Sequence, residues 1–162
     1  MNAIDIARAS GGKDVEIPTL ELSCSAWPES KYICGGFFDQ VFTTENGQTF
    51  TFQAAGIDVA LPKRGNDGAQ TLGIAIDNVR GEAQQLLDLA KSAGAKVFIT
   101  YRLYLDSDHS EPCERPMSMT MLSHTANGPT VELQAGYFNL ILSAWPRRRY
   151  TPQFSPGVKY IT

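Results

Sequence analysis

Two Asn-Gly dipeptides, Asn46-Gly47 and Asn127-Gly128, constrain this chain more than any other feature. An Asn-Gly pair between alternating apolar and polar runs supplies the positive φ angles of a tight hairpin, so each predicts two antiparallel strands. The first lies in TENGQT and should pair Phe37–Thr43 with Thr49–Phe52. The second separates Met117–Ser123 from Thr130–Gln134.

Further strands follow from period-two alternation and from β-branched and aromatic density. They are Ile17–Ser23, Ile57–Leu61 closed by Pro62, Thr71–Ile76, and a long half-buried strand over Lys96–Leu105. Lys63–Gly68 reads as a polar turn or exposed loop, Asp106–Pro116 as a polar loop, and Tyr137–Trp145 as a mixed segment with a turn of helix before Pro146. One helix is predicted over Val79–Ala93, where Val79, Ala83, Leu86, Leu87, Leu89 and Ala90 share a face. Asp77 or Asn78 would cap its start and Gly94 would stop it. With 14 glycines and 9 prolines keeping elements short, the fold class is α+β and β-dominated. We expect antiparallel sheets in a sandwich or barrel-like arrangement with one main helix at about 79–93.

The 162 residues suit one domain with one core. Residues 1–12 are expected to form a flexible arm, with Met1–Arg8 a short arm or helical turn ahead of Ser10-Gly11-Gly12, and 146–162 an extended proline-rich tail set to run over a neighbour. A net charge of −3 with a pI near 5.3 argues against a chain that coats nucleic acid, and no sequence-specific nucleic-acid partner is expected. No apolar run reaches the ~18 residues of a membrane span, and the N-terminus lacks the order of a secretory signal. The expectation is therefore synthesis in the cytoplasm and no membrane partner. Cys24, Cys34 and Cys113 are an odd count, which argues for small buried thiols over a disulfide framework.

Chemistry-bearing residues are few. His109 shares a loop with Asp106, Asp108, Glu111 and Cys113, and His124 ends a strand, so a cysteine–histidine hydrolase using Cys113 or Cys24 is conceivable. The acidic loop opposes it, because a reactive thiolate needs electropositive surroundings. Asp106, Asp108 and Ser110 imitate the start of a calcium loop, but Glu111 stands where the glycine is needed and Met117 where the terminal glutamate is needed. Cys24 and Cys34 are ten apart with no close pair, so neither metal nor cofactor is expected. Gly35-Gly36 reads as a turn or bulge, since no phosphate-loop residues follow. Arg147-Arg148-Arg149 before Tyr150 is weighted toward a protein interface over nucleic acid.

Three segments, in order, carry a resemblance: QTLGIAIDNVRGEAQQLLDLA (70–90), VFITYRLYLDSD (97–108) and WPRRRYTPQFSPGV (145–158). Over roughly Thr19–Val158 the chain resembles a family of bacteriophage minor tail proteins described as a domain of unknown function. More distantly it resembles the N-terminal hub domain of the lambda-type tail-tip protein. It departs from the pattern at Phe154-Ser155-Pro156-Gly157, where the family has Phe-Pro-Gly. The lambda-type protein continues into a cysteine-bearing domain resembling an iron–sulfur holder, and that cluster is not carried over.

The resemblance implies a non-enzymatic structural subunit of a phage tail tip or baseplate, a hub or ring component of the virion joining tail tube to tip. Its partners would be the tape measure, the distal tail ring, hub and central-fibre proteins, and copies of itself. Analogy alone puts a trimer ahead of a six-fold ring. Interface residues would be Tyr137, Arg147, Arg148, Arg149, Tyr150 and Phe154, with Phe138 and Trp145 in the core. Two rivals stand beside this reading. One is a tail-associated peptidoglycan or peptide hydrolase holding Cys113 or Glu111 beside a histidine; the other is a carbohydrate- or receptor-binding module with solvent-facing aromatics.

Overall fold

A computed structural model describes residues 8–9, 14–61, 71–77, 81–137, 151, 153–154 and 156–157. Among the described residues nine strands run β1 (Glu16–Cys24), β2 (Lys31–Gly35), β3 (Gln40–Thr43), β4 (Thr49–Ala55), β5 (Ile57–Ala60), β6 (Thr71–Asp77), β7 (Val97–Leu105), β8 (Met117–Asn127) and β9 (Thr130–Gly136). The helix α1 (Glu82–Ser92) lies between β6 and β7. The chain is thus β-dominated α+β, and the two predicted hairpins are β3–β4 and β8–β9.

One mixed sheet takes the order β3-β4-β2-β1-β7-β8-β9-β6-β5. All its pairings are antiparallel except β2 with β4, which are parallel. Strands β4 and β5 lie near opposite ends of that order, yet only Gly56 separates them in the chain. The sheet therefore curls on itself, and the turn is locked where the Asp77 N–H donates to the Gly56 carbonyl at 3.0 Å.

The period-two alternation decides what the curl encloses. Leu20 and Leu22 of β1 and Val97, Ile99, Tyr101 and Leu103 of β7 face inward, to meet Leu72, Ile74 and Ile76 of β6 and Val131, Leu133 and Ala135 of β9. Leu87 and Ala90 of α1 close the cluster, and the Trp27 indole N–H donates to the Leu86 carbonyl at 2.8 Å. Burying such side chains stabilises by about 1.5–3 kcal/mol each before conformational entropy is set against it.

From Tyr101 to Leu105 strand β7 is buried on both faces, more than the half-buried strand expected, while Phe98 is 51% exposed. On its outer face a second cluster forms from Ile17, Cys34, Phe42, Phe52 and Tyr104, because the β3–β4 hairpin folds over the sheet. Phe42 packs its ring against Phe52 and Tyr104, with centroids 5.3 and 4.6 Å away. Arg102 is 4% exposed there, gripped at 2.7 and 3.0 Å by both carboxylate oxygens of Glu45 and at 2.7 Å by Glu21. The Tyr104 hydroxyl donates to the Thr43 carbonyl at 2.8 Å, tying the hairpin's last strand residue down.

Several expectations need correction. Lys31–Gly35 is a strand, and the strand predicted from Phe37 begins at Gln40. Asp77 does not cap the helix; it extends β6 opposite Thr130. The cap position is Gly81 with φ 72° and no side-chain hydrogen bond, so α1 starts at Glu82, while Asn78 and Val79 lie outside the described residues. Leu89, assigned to the apolar face, is 48% exposed. Within the Asn-Gly pairs only Gly47 and Gly128 take positive φ, 73° and 61°. At the second hairpin Asn127 pairs with Thr130, so the two-residue turn is Gly128-Pro129, suited to a glycine-first type II′ geometry.

Candidate interaction surface

Between β2 and β5 the curled sheet leaves a groove of about 900 Å³. Its floor is apolar, built from Pro18, Leu22, Ile33, Ile57, Val131 and Leu133, with Leu86 of α1 at one wall. The wall along β2 and β4 is made of Gly35, Ala54, Ala55 and Gly56, whose small side chains leave the space open. At Gly35 the small residue is forced, since a Cβ there would stand 2.9 Å from Pro18 Cγ. Around the groove lie Glu16, Asp39, Asp77 and Glu82, against one ammonium, Lys31, among the described residues.

At the mouth stands the turn between β2 and β3. Phe37 is 95% exposed and Phe38 78%, the two most exposed of the large apolar side chains among the described residues. Two adjacent phenylalanines inside a strand would point to opposite faces; here neither is buried, because Gly36 at φ 148° turns the chain away from β2. The Asp39 carboxylate accepts the Ala54 N–H at 2.8 Å and pins the turn to β4. The sequence reading missed this pair by placing Phe37 in a strand. The signal was there in Gly35-Gly36 before it and Asp39 after it, turn chemistry flanking two bulky residues.

Of the predicted interface residues, Tyr137 is 44% exposed and Phe154 68% exposed. Arg147, Arg148, Arg149, Tyr150, Phe138 and Trp145 lie outside the described residues. The N-terminal arm is described at Arg8 and Ala9, where Arg8 grips Glu16 of β1 at 2.8 and 3.1 Å, so at that point the arm is tied to its own sheet.

Cys113 and His109 are not brought together, while Cys24 ends β1 opposite Val97 and His124 lies in β8 opposite Leu133. Cys113 packs against the inner cluster and its thiol donates to the Leu103 carbonyl at 3.0 Å. His109 lies on the outer face, its ring 4.5 Å from that of Phe42 and its carbonyl accepting the Thr43 N–H. Burial pushes the thiols of Cys113 and Cys34 up, away from the thiolate form. In the acidic loop the Asp108 carboxylate is spent on Ser110, accepting both its N–H and its hydroxyl.

The sequence profile of a family described as a domain of unknown function, DUF1833, matches residues 3–150. This chain belongs to the DUF1833 family. No curated protein sequence matches it. The DUF1833 match covers β1 to β9 and α1, and so both the groove and the Phe37-Phe38 turn.

Proposed function

We propose that this DUF1833 chain is a structural, non-enzymatic subunit of a phage tail tip or baseplate, a hub or ring component that joins the tail tube to the tip. Two supports bear on the reading. One is the resemblance of segments 70–90, 97–108 and 145–158 to phage minor tail proteins. The other, which carries it, is the Phe37-Phe38 turn: two large apolar side chains held out by a pinned turn are the kind of anchor that protein interfaces bury. Its partners would be further copies of itself, the tape measure, and the ring and central-fibre proteins of the tip, with the subunit made in the host cytoplasm and kept in the virion.

The hydrolase alternative is less well supported, since Cys113 and His109 sit on opposite faces of β7. Quantitative mass spectrometry of purified particles tests the proposal. The chain should be present at a fixed copy number in intact virions and in detached tails; its absence from both rejects the reading.

A further inference from the structure

We propose that the groove beside β5 is a strand-accepting dock for an extended segment of another polypeptide in which apolar and Lys or Arg residues alternate. The first support is backbone geometry. The Asp77 N–H to Gly56 carbonyl bond fixes Gly56 opposite Asp77, so by antiparallel alternation Asp58 and Ala60 turn their N–H and C=O groups toward β6. Ile57 and Val59 therefore turn theirs the other way, on the side where Gln53 and Ala55 of β4 hold β2. Strand β2 ends at Gly35, opposite Ala55, and the chain leaves through Gly36 and Phe37. Among the described residues β5 is thus a sheet edge that meets the groove at Ile57, and such an edge is a template for one more strand.

The second support is what an added strand would meet. Its inward side chains would enter the apolar floor of Leu22, Ile33 and Ile57. Its polar side chains would meet Asp77 and Glu82 at the rim and the exposed Asp58 on the outer face of β5, against Lys31, the one ammonium lining the groove among the described residues. That balance selects a cationic segment and disfavours an acidic one. The groove's volume, about 900 Å³, holds several side chains along a strand.

This inference deepens the assembly reading, yet its test is separate, because binding is measured on the isolated full chain and virion content is not involved. The probes are a ten-residue synthetic peptide of alternating valine and lysine and its valine–glutamate counterpart. Trp27 lines the groove, and in a Trp145→Phe background its emission reports on occupancy. The lysine peptide should shift that emission saturably, and the glutamate peptide should bind about tenfold more weakly or not at all. Asp77→Asn with Glu82→Gln, both near-isosteric, should weaken the lysine peptide by about tenfold. Val59→Pro removes an outward N–H without touching the β6 ladder, so it should abolish binding while circular dichroism stays unchanged. Equal binding of both peptides, binding that survives Val59→Pro in a folded chain, or no binding at all would overturn the proposal. So would a self-associated chain whose dimer the lysine peptide cannot displace, since the groove would then be a homotypic contact.

Discussion

Asp77 meets Gly56 in two ways: its N–H donates to the Gly56 carbonyl at 3.0 Å, and its carboxylate oxygen stands 2.5 Å from where a Cβ on Gly56 would lie. The residue that joins β4 to β5, and thereby the two ends of the sheet, is thus a glycine with the exposed Asp77 side chain lying over it. That carboxylate is the end of a side chain that can turn aside, so Gly56→Ala should cost no more than about 1 kcal/mol in urea unfolding. In an Asp77→Ala background this cost should disappear, a coupling a double-mutant cycle would read. Additive effects would mean that the Asp77 side chain does not press on a Cβ at this position.

The Arg102 network makes an asymmetric prediction. Arg102 is 4% exposed, whereas Glu21 and Glu45 are 21% and 40% exposed. Removing the carboxylates with Glu21→Ala and Glu45→Ala strands a buried guanidinium and should cost about 3–5 kcal/mol. Arg102→Met leaves two carboxylates that water can reach and should cost less. Urea midpoints of the two variants compare them directly, and the reverse order would refute this account of the hairpin clamp.

At low pH the same pair sets a sign. Hydrogen bonds from Arg102 hold the Glu45 carboxyl below its ordinary value of 4.5, and those from Arg8 do the same for Glu16. A carboxyl depressed in the folded state contributes stability that is present above about 4.5 and lost as the pH falls through the lower folded value. Glu45→Gln should therefore flatten the acid limb of stability against pH. An acid limb as steep as that of the unmodified chain would exclude Glu45 as a contributor.

At high pH two buried phenols act in the opposite direction. Burial pushes Tyr101 and Tyr104 up to about 12 from the ordinary 10.0. The unfolded chain releases these protons first, so stability should fall as the pH rises from about 10 through about 12. Tyr101→Phe should move the alkaline unfolding midpoint upward. Phenolate absorbance should show these two tyrosines ionising together with loss of circular dichroism, not ahead of it.

Much of the architecture was legible because β-alternation survives in the sequence. Leu72, Ile74 and Ile76 declare the buried face of β6, and the glycines of both Asn-Gly pairs sit in the hairpin turns. Strand β2 was hidden because the five residues Lys31–Gly35 carry too few alternations to register, and a parallel pairing with β4 leaves no hairpin signal. The helix start was misplaced because Asp77 has the chemistry of a cap while its backbone is claimed by β9. The groove could not be read at all, since it arises from residues distant in sequence that meet only once the sheet curls. Phe37-Phe38, in contrast, was legible in principle from the glycines before it.

We propose that this chain is built into a phage tail tip and buries Phe37 and Phe38 against neighbours there. A cryo-electron microscopy reconstruction of the intact particle measures this most directly. The account predicts symmetric copies of the curled sheet where the tube meets the tip, with Phe37 and Phe38 enclosed by an adjoining subunit. Tip density explained wholly by other proteins, or copies whose Phe37-Phe38 turn faces solvent, would contradict it.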